Sequence, residues 1–200
     1  MRGSLALLVL VAVTTVPATA QWDIGFEIST THYRGSSHDS AGSGGPSTFR
    51  PANATTFGLR VDRAIGGARL GLQASYAGVG LTAAGPGLTL IDNSAGHLLE
   101  GQLLLNFQVA GIGSSGAIRA EVGPSLHLWK SGEELRSRAG AVAAAVYEWP
   151  VTNRFSGAIR LEGMISKSWF DNGDLPPEYE RQATRRFGVG LGLRYRLSGG

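Results

Sequence analysis

The chain has 200 residues, with 18 Lys and Arg against 15 Asp and Glu, 30 glycines and no cysteine. The near balance of charge, with arginines spread along the chain, argues against a nucleic-acid partner. The lack of cysteine excludes disulfides, cysteine metal sites and a thiol nucleophile. The length suits one folded domain, for which we expect neither a metal nor a cofactor.

The first twenty residues have the three parts of a secretory signal peptide. Arg2 supplies the positive charge, Leu5 to Val13 form an apolar run, and Ala18-Thr19-Ala20 form a small-residue cleavage site. The run is shorter than the roughly 20 residues that a membrane-spanning helix needs. We expect Sec-type export, cleavage after Ala20, and a domain over 21–200 whose net charge is 17 − 15 = +2 once Arg2 is removed.

Segments that alternate apolar residues with polar residues or glycine fill the rest of the chain, and this period of two is typical of β-strands. The sixth of them is rich in alanine and also suits a helix. Tyr147 and Trp149 nevertheless share a parity opposite to that of Glu148, which favours a strand. Eight strands are predicted, at 22–29, 57–62, 69–76, 99–109, 118–128, 139–150, 159–166 and 187–197.

The connections between these strands alternate in length. Those at 34–53, 82–95, 130–137 and 171–182 are long or polar, whereas those at 66–67, 111–116 and 151–153 are short. Long and short connections therefore lie at opposite ends of the domain, as in outer-membrane barrels with long extracellular loops and short periplasmic turns. The prediction is an all-β fold, an eight-stranded antiparallel up-and-down transmembrane β-barrel with both termini at the periplasmic end.

If the apolar parity faces lipid, the opposite parity faces the lumen. Charges confined there must be paired to be tolerated, and lumen-facing glycines such as Gly188, Gly190 and Gly192 leave room for arginine. We therefore predict a salt-bridge network that fills the lumen and leaves no open pore. Its members are seven acids and seven arginines, namely Asp23, Glu27, Asp62, Glu100, Glu121, Glu148, Glu162, Arg60, Arg69, Arg119, Arg160, Arg186, Arg194 and Arg196.

Aromatic residues gather near the ends of the predicted strands. Transmembrane barrels carry aromatic girdles at both membrane interfaces. The residues predicted to lie at the interfaces are Trp22, Phe107, Trp129, Tyr147, Trp149, Phe155, Trp169, Phe187 and Tyr195.

This pattern resembles the small outer-membrane barrels of the OmpA/OmpX type and the outer-membrane β-barrel domain family over 21–200. The resemblance implies the cell outer membrane, contact with its lipids and lipopolysaccharide, and insertion by the barrel assembly machinery. That machinery reads a C-terminal alternation, here carried by Leu191, Leu193, Tyr195 and Leu197, although the chain ends in Ser198-Gly199-Gly200 instead of an aromatic residue. We expect a structural or surface-interaction role, with 34–53 and 171–182 as the contact surface.

Three alternatives to this role and fold remain open. Barrels that act as lipid A deacylases use a His-activated Ser, and candidates here are His38 with Ser40, or the inward-facing His127 with Ser125. A solvated loop and a polar lumen explain these residues better than catalysis does, so no enzyme is expected. A narrow pore or transporter is the second alternative. A soluble lipocalin-like barrel is the third, and it is disfavoured because its apolar face would have to point inward.

Overall fold

A computed structural model describes residues 21–35, 37–39, 48–85, 88–113, 115–171 and 173–197. The predicted signal peptide and the C-terminal Ser198 to Gly200 lie outside these residues. No helix in the described part of the chain is long and apolar enough to cross a membrane. The strands are β1 (Trp22–Arg34), β2 (Ser37–Asp39), β3 (Thr48–Pro51), β4 (Ala54–Ile65), β5 (Ala68–Gly85), β6 (Leu88–Ile112), β7 (Gly116–Ser131), β8 (Glu134–Pro150), β9 (Phe155–Ser166), β10 (Tyr179–Arg181) and β11 (Thr184–Leu197).

Eight of these strands close into a ring. Strands β1, β4, β5, β6, β7, β8, β9 and β11 pair antiparallel in that order. The ring closes because β11 also pairs with β1, in a register that runs from Trp22 opposite Leu197 to Arg34 opposite Arg185. Every predicted strand lies within one of the ring strands, so the predicted barrel class is confirmed.

The two ends of the barrel differ in their connections. At the end that we call the turn end, β4 and β5 are joined by Gly66 and Gly67, and Trp22 and Leu197 lie side by side. The backbone of Gly66 has φ 58°, a left-handed conformation that glycine adopts without steric cost. The opposite end, which we call the hairpin end, carries the long connections.

Two of the predicted loops are wrong, because the described residues there form extended hairpins. In place of a loop at 82–95, β5 continues to Gly85 and β6 starts at Leu88. In place of a loop at 130–137, β7 and β8 meet at a turn over 132–133. The alternation fades in these segments because they project beyond the barrel, where neither face of the strands has to be buried. The β5–β6 hairpin extends about 25 Å past the last β4–β5 pair, Thr56 with Ala77, at 3.3 Å per residue.

The outer face of the ring is an apolar belt. Large apolar side chains on the outward parity are exposed, for example Leu59 at 64% and Leu191 at 59%. Charged residues of this parity occur only towards the ends of the described ring strands, such as Arg63 at the turn end and Arg185 at the hairpin end. A belt of this kind would be unstable in water but suits the hydrocarbon core of a membrane.

Glycines on the inward parity make room for the lumen charges. A Cβ atom added to Gly71 would lie 2.5 Å from Asp62 Oδ1 and 3.0 Å from Arg60 Nη2. One added to Gly190 would lie 3.0 Å from Glu27 Oε1. The glycine-rich inward faces are therefore a consequence of packing arginine and carboxylate side chains inside a narrow ring.

Replacing Gly71 with leucine should destabilise the barrel by about 1–3 kcal/mol, because the new side chain must displace the Arg60–Asp62 pair. Gly101 is the matched control, since it lies in the neighbouring strand and a Cβ atom there meets nothing within 4 Å. Urea unfolding in detergent micelles, followed by heat-modified gel mobility, measures both variants. Equal stability of Gly71→Leu and Gly101→Leu would contradict the packing role.

Candidate functional site

The lumen holds all the charged residues that were predicted to face it. Each of the fourteen has an oppositely charged partner within 4.0 Å among the described residues. The contacts link all eight ring strands. Two groups can be separated at the 3.6 Å contact between Arg194 Nη2 and Glu121 Oε1, the one ion pair between described residues that joins them.

The first group, which we call the core group, fills the middle of the barrel. Glu121 lies at its centre, with Arg60 Nη1 2.7 Å from Oε1 and Arg160 Nε 2.9 Å from Oε2. Asn106 donates a hydrogen bond of 2.6 Å to Oε1. The members of the core group are Glu27, Arg60, Asp62, Glu100, Glu121, Arg160, Glu162 and Arg186.

The second group, which we call the vestibule group, lies towards the turn end. Glu148 is its centre, with Arg119 Nε at 3.0 Å, Arg69 Nη1 at 3.1 Å and Arg194 Nη1 at 3.3 Å from Oε2. The members of the vestibule group are Asp23, Arg69, Arg119, Glu148, Arg194 and Arg196.

The lumen is neutral overall, but its charges are unevenly divided. The core group has five carboxylates and three arginines, a net charge of 3 − 5 = −2. The vestibule group has four arginines and two carboxylates, a net charge of 4 − 2 = +2. The number of charges can be predicted from the sequence, but their division cannot, because the contacts join residues as far apart in the chain as Arg69 and Glu148.

The hairpin end of the lumen is covered by an apolar cap. Trp129 and Trp169 stack with their ring centroids 5.1 Å apart, and Tyr33 meets Trp129 edge-on at 6.1 Å. The cap consists of Tyr33, Ala77, Val79, Leu98, Trp129 and Trp169, all of which are buried. This cap separates the core group from the hairpin end.

The cap corrects two of the aromatic predictions. Trp129 and Trp169, predicted to lie at a membrane interface, are only 2% and 6% exposed and lie inside. Trp129 has the inward parity of His127, and Trp169 belongs to the segment that follows β9 and folds over the barrel mouth. The other seven predicted aromatics have the outward parity, and their position at a membrane interface stays a prediction: Trp22, Phe107, Tyr147, Trp149, Phe155, Phe187 and Tyr195.

The two segments predicted as the contact surface pair with each other. Strand β2 from the first long connection and β10 from the last form a separate two-stranded sheet, with His38 opposite Glu180. Phe49 meets Tyr179 with ring centroids 5.1 Å apart. The described parts of 34–53 and 171–182 therefore form one surface.

Ionic contacts fix the segment after β9 to the β7–β8 hairpin. Arg138 Nε donates a hydrogen bond of 2.6 Å to the Ser168 carbonyl oxygen, and its Nη2 lies 2.8 Å from Asp171 Oδ1. Hydrogen bonding from Arg138 holds the pKa of Asp171 below its ordinary value. Arg136 pairs with Asp174 in the same segment. This acidic segment is thus held by arginines of β8 at the hairpin end.

The inward-facing His127 does not have the geometry of a catalytic triad. Ser125 Oγ lies 3.0 Å from His127 Nε2, and Glu100 Oε2 lies 3.8 Å from the same nitrogen. A triad needs the acid on the opposite ring nitrogen, but Nδ1 has no hydrogen-bond partner among the described residues. All three side chains are buried in the lumen, away from lipid. Of the other candidate pair for a His-activated Ser, His38 lies in β2 and Ser40 lies outside the described residues.

No group of residues suited to a metal ion occurs in the described part.

Replacing Glu121 with glutamine should destabilise the folded barrel by about 3 kcal/mol, because it leaves buried arginines without their central carboxylate. Glu134 is the matched control, since its side chain is 67% exposed and pairs with Arg136 at the hairpin end. Glu134→Gln should change the unfolding free energy by less than about 1 kcal/mol. Urea unfolding in lipid vesicles measures both, and a Glu121→Gln barrel as stable as the control would show that the network is not stabilising.

No family model matches the sequence, and no curated protein matches it significantly. Neisserial surface protein A has a similar structure, with a TM-score of 0.54 at 9% identity over 88% of this chain and 97% of that one. The N-terminal β-barrel domain of Pseudomonas aeruginosa OprF gives 0.49 at 12% identity, over 88% and 97% of the two chains. The attachment invasion locus protein Ail of Yersinia pestis gives 0.44 at 14% identity, over 89% and 99%. The chain therefore has the fold of the small eight-stranded outer-membrane β-barrels.

Proposed function

We propose that this protein is an outer-membrane barrel with a closed lumen, which acts as a scaffold for contacts at the cell surface. One observation carries the proposal: a charge-free apolar belt surrounds an interior of paired charges. This arrangement is the reverse of that in a water-soluble barrel, and it places the polar groups where lipid cannot reach them. Outer-membrane lipids and lipopolysaccharide are accordingly its surroundings, and the barrel assembly machinery inserts it.

The filled lumen favours a scaffold over a pore. Gln102, Asn106 and Glu121 lie in the middle of the barrel and are at most 1% exposed. The interior of an eight-stranded barrel is just wide enough for side chains to fill. The apolar cap then closes the hairpin end above the core group.

Surface contact is favoured by what projects at the hairpin end. Leu90 and Ile91, near the tip of the β5–β6 hairpin, are 59% and 58% exposed. Residues 88–92 and Gly96 of β6 pair with β5, whereas the described pairing with β7 starts only at His97. Exposed apolar side chains on a hairpin that projects past the neighbouring strand are a feature of a protein contact surface.

A charge placed in the middle of the belt should hinder insertion. Leu59→Arg should destabilise the inserted barrel by about 2–4 kcal/mol, whereas Thr55→Arg, near the hairpin end of the same outward face of β4, should cost about 0–1 kcal/mol. Unfolding in phospholipid vesicles measures the difference. If both substitutions have the same cost, the belt does not lie in the hydrocarbon core.

We propose that the hairpin end faces the cell exterior and the turn end faces the periplasm. This orientation can be tested because the sequence has no cysteine. Thr89→Cys places a single thiol on the β5–β6 hairpin, and Asn153→Cys places one at the turn end. A polymer-linked maleimide too large to cross the outer membrane should label Thr89→Cys on intact cells. It should label Asn153→Cys only after the outer membrane is permeabilised. The reverse pattern, or labelling of both variants on intact cells, would contradict the proposed orientation.

The same variants test the surface role. A benzophenone carried on the introduced thiol cross-links whatever lies beside it on illumination. On intact cells, the Thr89→Cys barrel should form cross-linked adducts that are larger than the barrel alone. If it forms none beyond those of Asn153→Cys, the hairpin does not contact a partner.

A further inference from the structure

The turn end of the lumen opens into a polar cavity that the scaffold role does not use. Its volume is about 800 Å³, and its wall includes charged side chains of the vestibule group together with Arg154 from the β8–β9 turn. We call this cavity the vestibule. It is large enough for a small organic molecule, since pockets for such ligands are about 300–1,000 Å³.

The wall of the vestibule carries excess positive charge. Four arginines line it against two carboxylates. These are Arg69, Arg119, Arg154, Arg196, Asp23 and Glu148. A cleft lined mainly by one sign of charge attracts ions of the other sign.

The two carboxylates cannot occupy all the arginine donors. Glu148 already faces Arg69, Arg119 and Arg194, and it accepts a further hydrogen bond of 3.2 Å from Ser156 Oγ. Asp23 is 3.6 Å from Arg69 Nη1 and 3.9 Å from Arg196 Nε, beyond ordinary hydrogen-bond length.

The guanidinium groups have donors left over. Each carries five N–H groups. The described contacts of Arg69 with Glu148 and Asp23 all use one nitrogen, Nη1. Arg196, which is 46% exposed, has one described ion pair. The described contacts of Arg69 and Arg196 with carboxylates therefore leave N–H donors on both guanidinium groups for a ligand.

A core-group carboxylate on the strand beside Asp23 does not offset this excess. Asp62 lies opposite Asp23 on the neighbouring strand. Both of its oxygens, however, accept hydrogen bonds from Arg60, at 2.9 Å for Oδ1 and 2.7 Å for Oδ2 from Nε. Asp62 is thus committed to the core group.

We propose that the vestibule binds a small anionic compound that carries carboxylate or phosphate groups. Both groups accept charge-assisted hydrogen bonds from arginine, often two at a time. The ligand enters from the turn end, because the cap and the core group block the other route. In the proposed orientation this is the periplasmic side, but binding itself depends only on the folded barrel.

The test uses the purified, folded protein in nonionic detergent micelles and isothermal titration calorimetry at constant ionic strength. Inorganic phosphate and succinate are titrated separately, so that the tighter of the two identifies the class of anion. Arg196→Gln removes a vestibule cation that has little structural role, and Arg181→Gln removes the same charge from β10 at the opposite end. Heat-modified mobility verifies that each variant is folded.

Both the unmodified protein and Arg181→Gln should bind at least one of the two anions. Arg196→Gln should weaken that binding by about tenfold, as expected for the loss of one hydrogen bond to a charged group. If neither anion binds the unmodified protein, the proposal fails. It also fails if Arg196→Gln and Arg181→Gln bind with the same affinity. Neither outcome bears on the orientation, which the cysteine labelling tests independently.

Discussion

The structure depends on the pairing of arginine with carboxylate inside a ring whose middle is filled by these side chains. Closing eight strands brings their inward side chains together from every part of the chain, and isolated charges there would be very costly. Glu121 shows how this cost is met, because it faces Arg60 and Arg160 from strands on other sides of the barrel. The outward side chains need no such matching, because any apolar side chain is compatible with the hydrocarbon of a membrane. Most of the specificity of this fold therefore lies in its polar interior.

The ring strands could be predicted from the sequence because each has two faces in contrasting surroundings, and the alternation records that contrast. Where this contrast is missing, the predictions were wrong. The β5–β6 hairpin projects past the barrel, loses the contrast and has no alternation to detect. Trp129 and Trp169 were misplaced because composition cannot distinguish an aromatic residue at an interface from one that caps a lumen. Trp129 does share the inward parity of His127, and that parity predicts that its side chain lies inside the barrel.

The membership of the lumen network followed from parity alone, but its organisation did not. A count gives equal numbers of acids and arginines, which suggests a uniform neutral interior. The contacts show instead that negative charge is in excess around Glu121 and positive charge around Glu148. That division depends on which strands face each other across the ring, and a single sequence contains no direct signal for contacts across the ring. A barrel closed at one end and open at the other, with charge separated along its axis, is therefore a property of the folded structure.

The small sheet of β2 and β10 has a consequence for the order of assembly. Its strands come from the first and the last long connections of the chain, on either side of the β1–β11 seam that closes the ring. Until the last strands arrive, His38 and its neighbours have no β-strand partner in that sheet. The surface that these connections form can thus exist only on a completed barrel. Any partner that recognises this surface would distinguish finished molecules from partly assembled ones.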